Sequence, residues 1–130
     1  MKGAVMRVAR ACREIEAIGR QYSEGLGFEV LSTFRGHDGF DGVILGHPNS
    51  AYHLEFIHDH TAPPAAPPHE EQLLVFYLED EEAWLARCAA MLAAGFTVAH
   101  NANPFWQRHG RTFEDAEGGR VVLHRGGWPR

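Results

Sequence analysis

The sequence predicts an α+β fold of two βαβββ modules that together form a curved, cup-shaped mixed sheet. Along the 130 residues, period-two hydrophobic runs alternate with a helical stripe, and this order of elements occurs twice. The segment GFEV at residues 27–30 recurs as GFTV at residues 95–98, at the same place in each half. The chain is therefore an internal repeat, and a pocket is expected where the two modules meet.

The first module is predicted over residues 1–57. Apolar residues recur at helical spacing from Ile15 to Leu26, and Gly27 follows where a C′ glycine ends a helix. The predicted strands of this module are residues 6–11, 28–34, 43–45 and 52–57, with a glycine-rich turn at residues 36–42.

Residues 58–72 are predicted to link the two modules. They hold four of the seven prolines in the chain, which excludes a helix or a central strand there. A proline-rich recognition site is an alternative, but a semi-rigid connector is the simpler interpretation.

The second module is predicted over residues 73–130. Asp80 is a favourable N-cap for its helix, and Gly95 ends it. Residues 103–106 (NPFW) are predicted to be irregular. The helical stripe is Trp84, Leu85, Cys88, Met91 and Leu92, and the predicted strands are residues 73–78, 98–101, 111–114 and 120–124.

Composition narrows the class of protein. Hydrophobic residues make up 45% and charged residues 22% of the chain, which is typical of a soluble globular protein. The net charge of −5 argues against a nucleic-acid partner.

No stretch approaches the ~20 apolar residues of a membrane span, and the N-terminus lacks a signal-peptide core. We expect a cytoplasmic protein in which Cys12 and Cys88 are reduced.

Three segments carry a family resemblance. Residues 15–31 look like the first helix and second strand of vicinal oxygen chelate proteins, residues 53–56 (HLEF) like their fourth strand, and residues 110–123 like their last hairpin. This superfamily includes glyoxalase I, methylmalonyl-CoA epimerase, extradiol dioxygenases, fosfomycin-resistance transferases and bleomycin-resistance proteins. The resemblance implies the cup-shaped fold and does not select among those functions.

The resemblance also implies where a metal would bind. Enzymes of the superfamily hold a divalent metal at positions that correspond to Arg7, Glu55, Leu73 and Val122. Arginine stays protonated, and leucine and valine have no donor atoms, so Glu55 alone is a plausible ligand. Because catalytic metal sites use several protein ligands, we expect no metal cofactor.

A different strand register would allow a metal site after all. His53 and Glu55 are two residues apart on one strand and therefore share a face, and His124 lies two residues beyond Val122. His53, Glu55 and His124 could form a two-histidine, one-carboxylate site for a divalent metal. We keep this set as the alternative.

The candidate ligand-binding residues lie on the strand faces that are predicted to line the cup and in segment 103–106. Arg7 and Glu55 are predicted to form an ion pair in place of the metal, either buried or solvated. Phe105 and Trp106 are predicted either to cover a ligand or to pack against the sheet or a second subunit. The full set is Arg7, His53, Glu55, Tyr77, Phe105, Trp106 and Arg111.

One further pair lies in the predicted turn of the first module. His37 and Asp38 could do acid–base work. The neighbouring Asp and Gly residues favour a simple hairpin turn instead.

Two functions follow from these observations. The first is a metal-independent binding protein, a homodimer that holds an apolar or aromatic small molecule in the cup, as bleomycin-type antibiotic-resistance proteins do by sequestration. The second is an enzyme, a glyoxalase-like lyase or isomerase or a dioxygenase, that uses Glu55 either with a metal or as a general base.

Overall fold

The computed structural model describes residues 1–128, so the last two residues of the predicted second module lie outside the described residues. The chain divides into two compact units, unit 1 from Met1 to Ala66 and unit 2 from Pro67 onward. This boundary lies inside the segment 58–72. Each unit contains one four-stranded mixed sheet, and the α+β prediction of two βαβββ modules is confirmed.

Unit 1 has the strand order β1-β4-β3-β2, in which β1 is parallel to β4 and the other pairs are antiparallel. Helix α1 packs Tyr22 against Phe56, whose ring centroids are 4.8 Å apart. The helix ends at Gly27, with φ 72°, as predicted. The elements are β1 (Met6–Ala11), α1 (Ile15–Leu26), β2 (Glu29–His37), β3 (Phe40–Gly46) and β4 (Tyr52–Asp59).

The turn between β2 and β3 is shorter than the predicted seven-residue loop at 36–42. Both strands continue until only Asp38 and Gly39 remain between them, and these two residues have φ 51° and φ 85°. An Asp-Gly pair with two positive φ angles matches the twist of a hairpin, so the strands can pair up to the turn. Strand β4 likewise runs to Asp59, two residues into the predicted linker.

Unit 2 repeats the arrangement with the order β5-β8-β7-β6, in which β5 is parallel to β8. Asp80 caps α2 by accepting a 2.9 Å hydrogen bond from the backbone N–H of Ala83. The elements are β5 (Leu73–Leu78), α2 (Glu81–Ala93), β6 (Thr97–Ala99), α3 (Pro104–His109), β7 (Gly110–Glu114) and β8 (Arg120–Arg125).

The buried stripe of α2 is narrower than predicted. Trp84, Cys88 and Met91 are buried, whereas Leu85 and Leu92 are each about half exposed. On a helix with 3.6 residues per turn, Leu85 and Leu92 lie about a quarter turn away from the other three side chains. They therefore lie outside the helix face that packs against the sheet.

The prediction of an irregular segment at residues 103–106 is wrong, because the short helix α3 begins there. Asn103 caps it by accepting a 2.9 Å hydrogen bond from the backbone N–H of Phe105, and Pro104 occupies the first turn. A capping Asn before a first-turn Pro is a recognised helix start, so the signal was present in the sequence.

The two helices of unit 2 lie on opposite faces of its sheet. Trp84 of α2 lies under the Arg125 side chain, with the guanidinium carbon 5.2 Å from the ring centroid, whereas Phe105 of α3 stacks on His124, the preceding residue of β8. Since successive strand residues point to opposite faces, we call the side with His124 the α3 face. Within residues 1–128, no helix has the length and apolar character needed to cross a membrane.

Candidate functional site

In unit 1, three of the predicted site residues meet on the sheet face opposite α1. Arg7 of β1 lies directly across from His53 of β4, and Nε of Arg7 donates a 2.8 Å hydrogen bond to Nε2 of His53. Nη1 of the same guanidinium lies 3.7 Å from Oε1 of Glu55. Phe56 points the other way, toward Tyr22 of α1. The predicted register of β4 and the predicted ion pair are both present.

In the Arg7–Glu55 pair, only Glu55 is largely buried. The Glu55 side chain is 11% exposed, but the Arg7 side chain is 45% exposed. Water therefore screens the attraction, and the pair is closer to the solvated than to the buried alternative. The arrangement keeps one carboxylate, one guanidinium and one imidazole together at the sheet face.

In unit 2, four predicted residues converge on the α3 face. The ring centroid of His124 lies 4.6 Å from that of Tyr77, 5.9 Å from that of Phe105 and 6.1 Å from that of Trp106. We call these rings, with two more, the ring cluster. Its members are Tyr77, Phe105, Trp106, His109, His124 and Trp128.

The ring cluster is built on a partly exposed surface. Phe105 is 46% exposed and Trp128 is 67% exposed, although both are large aromatic side chains. Tyr77, Trp106 and His124 are half-buried. Aromatic surface of this kind stacks favourably on a flat ligand.

A buried polar network holds α3 against the sheet. Asn101, 6% exposed, donates from its side-chain amide to the Thr112 hydroxyl at 3.1 Å. The Asn101 backbone N–H donates to Oε1 of Gln107 on α3 at 2.8 Å, and Oδ1 of Asn101 accepts from the Asn103 backbone N–H. The network determines where Phe105 and Trp106 lie.

Arg111 does not join the other predicted residues of unit 2. Its guanidinium carbon lies 5.1 Å from the centroid of the Trp84 ring, on the face covered by α2. Arg125 lies over the same indole at 5.2 Å. Arg111 therefore lies away from Tyr77, because β7 turns its odd-numbered residues toward α2, and the role of Arg111 in ligand binding stays a prediction.

His37 and Asp38 occupy an exposed turn. Their closest charged atoms are 3.7 Å apart, and the side chains are 78% and 90% exposed. An exposed pair of this kind contributes little and has no enclosing site around it, so the hairpin interpretation describes it best.

Unit 1 also contains a polar pocket of about 570 Å³ near the start of α1. Asp41 on its wall accepts a 2.9 Å hydrogen bond from Nε2 of His60 and one from the backbone N–H of Gly36, which together hold the pKa of Asp41 below its ordinary value. Arg35 pairs with both Asp41 and Glu16. Because these charges already satisfy one another, we favour the sheet faces as the ligand site.

Comparison with known proteins identifies the family of this chain. Residues 6–57 match the YycE-like N-terminal domain and residues 71–125 match the YycE-like C-terminal domain. The uncharacterized protein YycE of Bacillus subtilis is 36% identical over 122 residues, which cover 94% of this chain and 88% of that protein. The chain belongs to the YycE-like family.

Solved structures agree with this YycE-like assignment. A crystal structure of a YycE protein of unknown function from Bacillus subtilis has a TM-score of 0.88 at 34% identity, over 98% of this chain and 93% of that one. Glyoxalase I from Leishmania major has a TM-score of 0.68 at 17% identity, over 92% and 84%. TnmS3, an antibiotic binding protein from Streptomyces sp. CB03234, has a TM-score of 0.64 at 21% identity, over 95% and 96%. The chain therefore has the fold that the resemblance to the vicinal oxygen chelate superfamily implied.

At the four positions that the family resemblance equates with metal ligands, this YycE-like chain has Arg7, Glu55, Leu73 and Val122. Arg7 and Glu55 share a face of unit 1, and Leu73 and Val122 share the α3 face of unit 2. Over residues 1–128, neither unit contains a group of three His, Cys, Asp or Glu side chains that could hold a metal ion. The alternative set takes His53 and Glu55 from unit 1 and His124 from unit 2, so it stays a hypothesis for metal analysis.

Sequence reasoning missed two parts of this YycE-like site. His109 is not among the predicted site residues, although its ring centroid lies 4.7 Å from that of Phe105. In a helix that begins at Asn103, His109 follows Phe105 by four residues and Trp106 by three, so all three side chains share one face. The supporting residues Asn101, Gln107 and Thr112 carry no local signal, because their roles depend on contacts between separate elements.

Proposed function

We propose that this protein binds an apolar or aromatic small molecule on the α3 face of unit 2 without a metal, in the manner of sequestering resistance proteins. The observation that carries the proposal is the ring cluster, in which partly exposed aromatic side chains surround one imidazole. Apolar surfaces with a few fixed polar groups are the usual make-up of small-molecule sites.

Two further observations support the proposal. Of the four positions that the family resemblance equates with metal ligands, Arg7, Leu73 and Val122 have side chains that cannot coordinate a metal, so the proposed binding uses no Lewis acid. TnmS3, which shares the fold, is an antibiotic binding protein. Binding without catalysis requires only a surface that packs against the ligand, and the partly exposed aromatic rings of the cluster provide one.

Binding is tested by titrating the protein with 2-methoxynaphthalene in the presence of EDTA while tryptophan fluorescence is followed. Trp106 lies within the cluster and should be quenched, whereas Trp84 is buried on the opposite face. Phe105→Ala and Trp106→Ala should each weaken binding by about 0.5–1.5 kcal/mol, the range for an aromatic contact.

Phe40→Ala provides the matched control. Phe40 is 39% exposed on the β2–β3 hairpin of unit 1, close to the 46% of Phe105. Its removal should leave the affinity unchanged. If Phe105→Ala and Phe40→Ala have the same effect, or if no flat aromatic compound binds, the proposed site is wrong.

The enzyme hypothesis rests on Glu55, which lies on a sheet face beside His53. Native mass spectrometry of protein purified without a histidine tag tests it, together with the proposed homodimer. A stoichiometric divalent ion that is lost in Glu55→Gln would favour the metal-dependent enzyme. A dimer with an organic ligand and no metal would favour sequestration.

A further inference from the structure

The imidazole of His124 is the polar group at the centre of the ring cluster. It lies in register with Tyr77 on the neighbouring parallel strand, and its ring centroid is 4.6 Å from the Tyr77 ring. Phe105 and Trp106 approach it from α3. A ligand that rests on this cluster therefore covers the His124 ring as well.

The hydrogen bond on the far side of the ring determines which tautomer His124 adopts. Nδ1 lies 3.1 Å from the carbonyl oxygen of Gly126. A carbonyl oxygen can only accept, so Nδ1 carries the hydrogen, and in the neutral ring Nε2 carries the lone pair. Gly126 has φ 125°, a conformation that other residues rarely adopt, and this geometry brings its carbonyl back to the ring.

Aromatic and imidazole rings surround the His124 side chain. Within residues 1–128, no acidic side chain forms an ion pair with His124, and its ring neighbours are Tyr77, Phe105, Trp106 and His109. None of these neighbours carries a fixed negative charge. The site therefore presents a hydrogen-bond acceptor, Nε2, among aromatic faces.

From this geometry we infer that the ring cluster selects planar aromatic ligands that carry a hydroxyl group, and that the hydroxyl donates to Nε2 of His124. The inference rests on the proposed function. An aromatic ligand that covers the cluster removes water from Nε2, and an acceptor left without a donor weakens binding. A phenolic hydroxyl replaces the lost water, whereas a methyl ether of the same ring cannot donate. His124 is thus a specificity-determining residue.

The test compares 2-naphthol with 2-methoxynaphthalene, which share one ring system and differ in the donor. Calorimetric titration at neutral pH should show that the wild-type protein binds 2-naphthol about threefold to tenfold more tightly, as expected for one hydrogen bond. His124→Phe keeps an aromatic ring and removes the acceptor. It should lose the preference for 2-naphthol over 2-methoxynaphthalene.

Two more variants keep the test decisive. His37→Phe changes an exposed imidazole on the hairpin turn of unit 1, outside the ring cluster, and it should preserve the preference. His124→Gln retains a side-chain acceptor, and it should keep part of the preference if His124→Phe proves unstable in thermal melts. Loss of the preference in His37→Phe, or its persistence in both His124 variants, would overturn the assignment.

The outcomes also separate this inference from the proposed function. Equal affinity of the wild-type protein for the two naphthalenes refutes the role of His124 and leaves aromatic binding intact. Failure of both compounds to bind refutes the binding site itself, and the inference with it.

Discussion

Nε of Arg7 donates a 2.8 Å hydrogen bond to Nε2 of His53, the residue directly opposite it on the parallel strands β1 and β4. The imidazole must accept this bond, so its hydrogen lies on Nδ1. The same guanidinium reaches Glu55 at 3.7 Å. Arg7 therefore bridges two side chains at a position that corresponds to a metal ligand in related enzymes.

Removal of this bridge should cost little stability. Because the Arg7 side chain is 45% exposed, we expect Arg7→Ala to lower the free energy of unfolding by about 1 kcal/mol or less. Urea denaturation of Arg7→Ala, Glu55→Gln and the double variant measures the coupling between them. Arg20→Ala, at an exposed arginine of α1, is the control. A loss of about 3–5 kcal/mol in Arg7→Ala would instead indicate a buried pair.

Arg111 should matter for stability and not for binding. Its guanidinium lies over the Trp84 ring, so Arg111→Ala should cost about 0.5–1 kcal/mol of unfolding free energy through the lost cation–π contact. The affinity for 2-naphthol should stay at the wild-type value, because Arg111 and His124 lie on opposite faces. A variant with normal stability and weakened binding would contradict this placement.

Gln107 should hold α3 in its binding position. In Gln107→Ala the Asn101 backbone N–H loses its acceptor, which costs about 1 kcal/mol and loosens the helix. Amide hydrogen exchange in residues 104–109 should accelerate, and binding of 2-methoxynaphthalene should weaken. Arg108→Ala, next to it on the exposed side of α3, should change neither. Unchanged exchange in Gln107→Ala would show that the network is dispensable.

Asp41 should contribute to acid sensitivity. The hydrogen bond from His60, with a further one from Gly36, lowers the pKa of Asp41 in the folded protein below that of the unfolded chain. Its stabilising effect is thus complete above about pH 4 and is lost as the pH falls through the folded-state pKa. Asp41→Asn should reduce stability near neutral pH and flatten the fall in melting temperature toward about pH 2–3. Asp38→Asn, at an exposed turn position, is the control, and an equal effect there would refute the role of Asp41.

Both thiols should be unreactive in the folded protein. Cys12 and Cys88 are each 2% exposed, and burial raises the pKa of Cys88, which disfavours the reactive thiolate. Reaction with a disulfide reagent should be slow in buffer and fast in urea. Asn49→Cys, which adds a thiol at an exposed turn, should react at once and provides the reference rate. Rapid reaction of the native thiols would show that they are accessible.

Local patterns predicted most of the fold correctly. β1 and β5 have the predicted bounds, and α1 ends at the predicted glycine. The alternation along β4 separated Glu55 from Phe56 as the structure does. These features depend on neighbours within a few residues, where hydrophobic period and backbone preference act directly. The Asp38–Gly39 turn and the Asn103–Pro104 helix start were also local signals, and they were interpreted incompletely.

The sequence alone determined the repeat, the order of the strands and of helices α1 and α2, and the absence of donor atoms at Leu73 and Val122. The tertiary structure decided that α3 lies on the sheet face opposite α2, that Arg111 stacks on Trp84, and that Nδ1 of His124 donates to the carbonyl of Gly126. The reason is physical. Periodicity reports which residues share a face, but the element that covers a face is chosen by contacts between distant segments, such as Asn101 with Thr112 and Phe105 with His124.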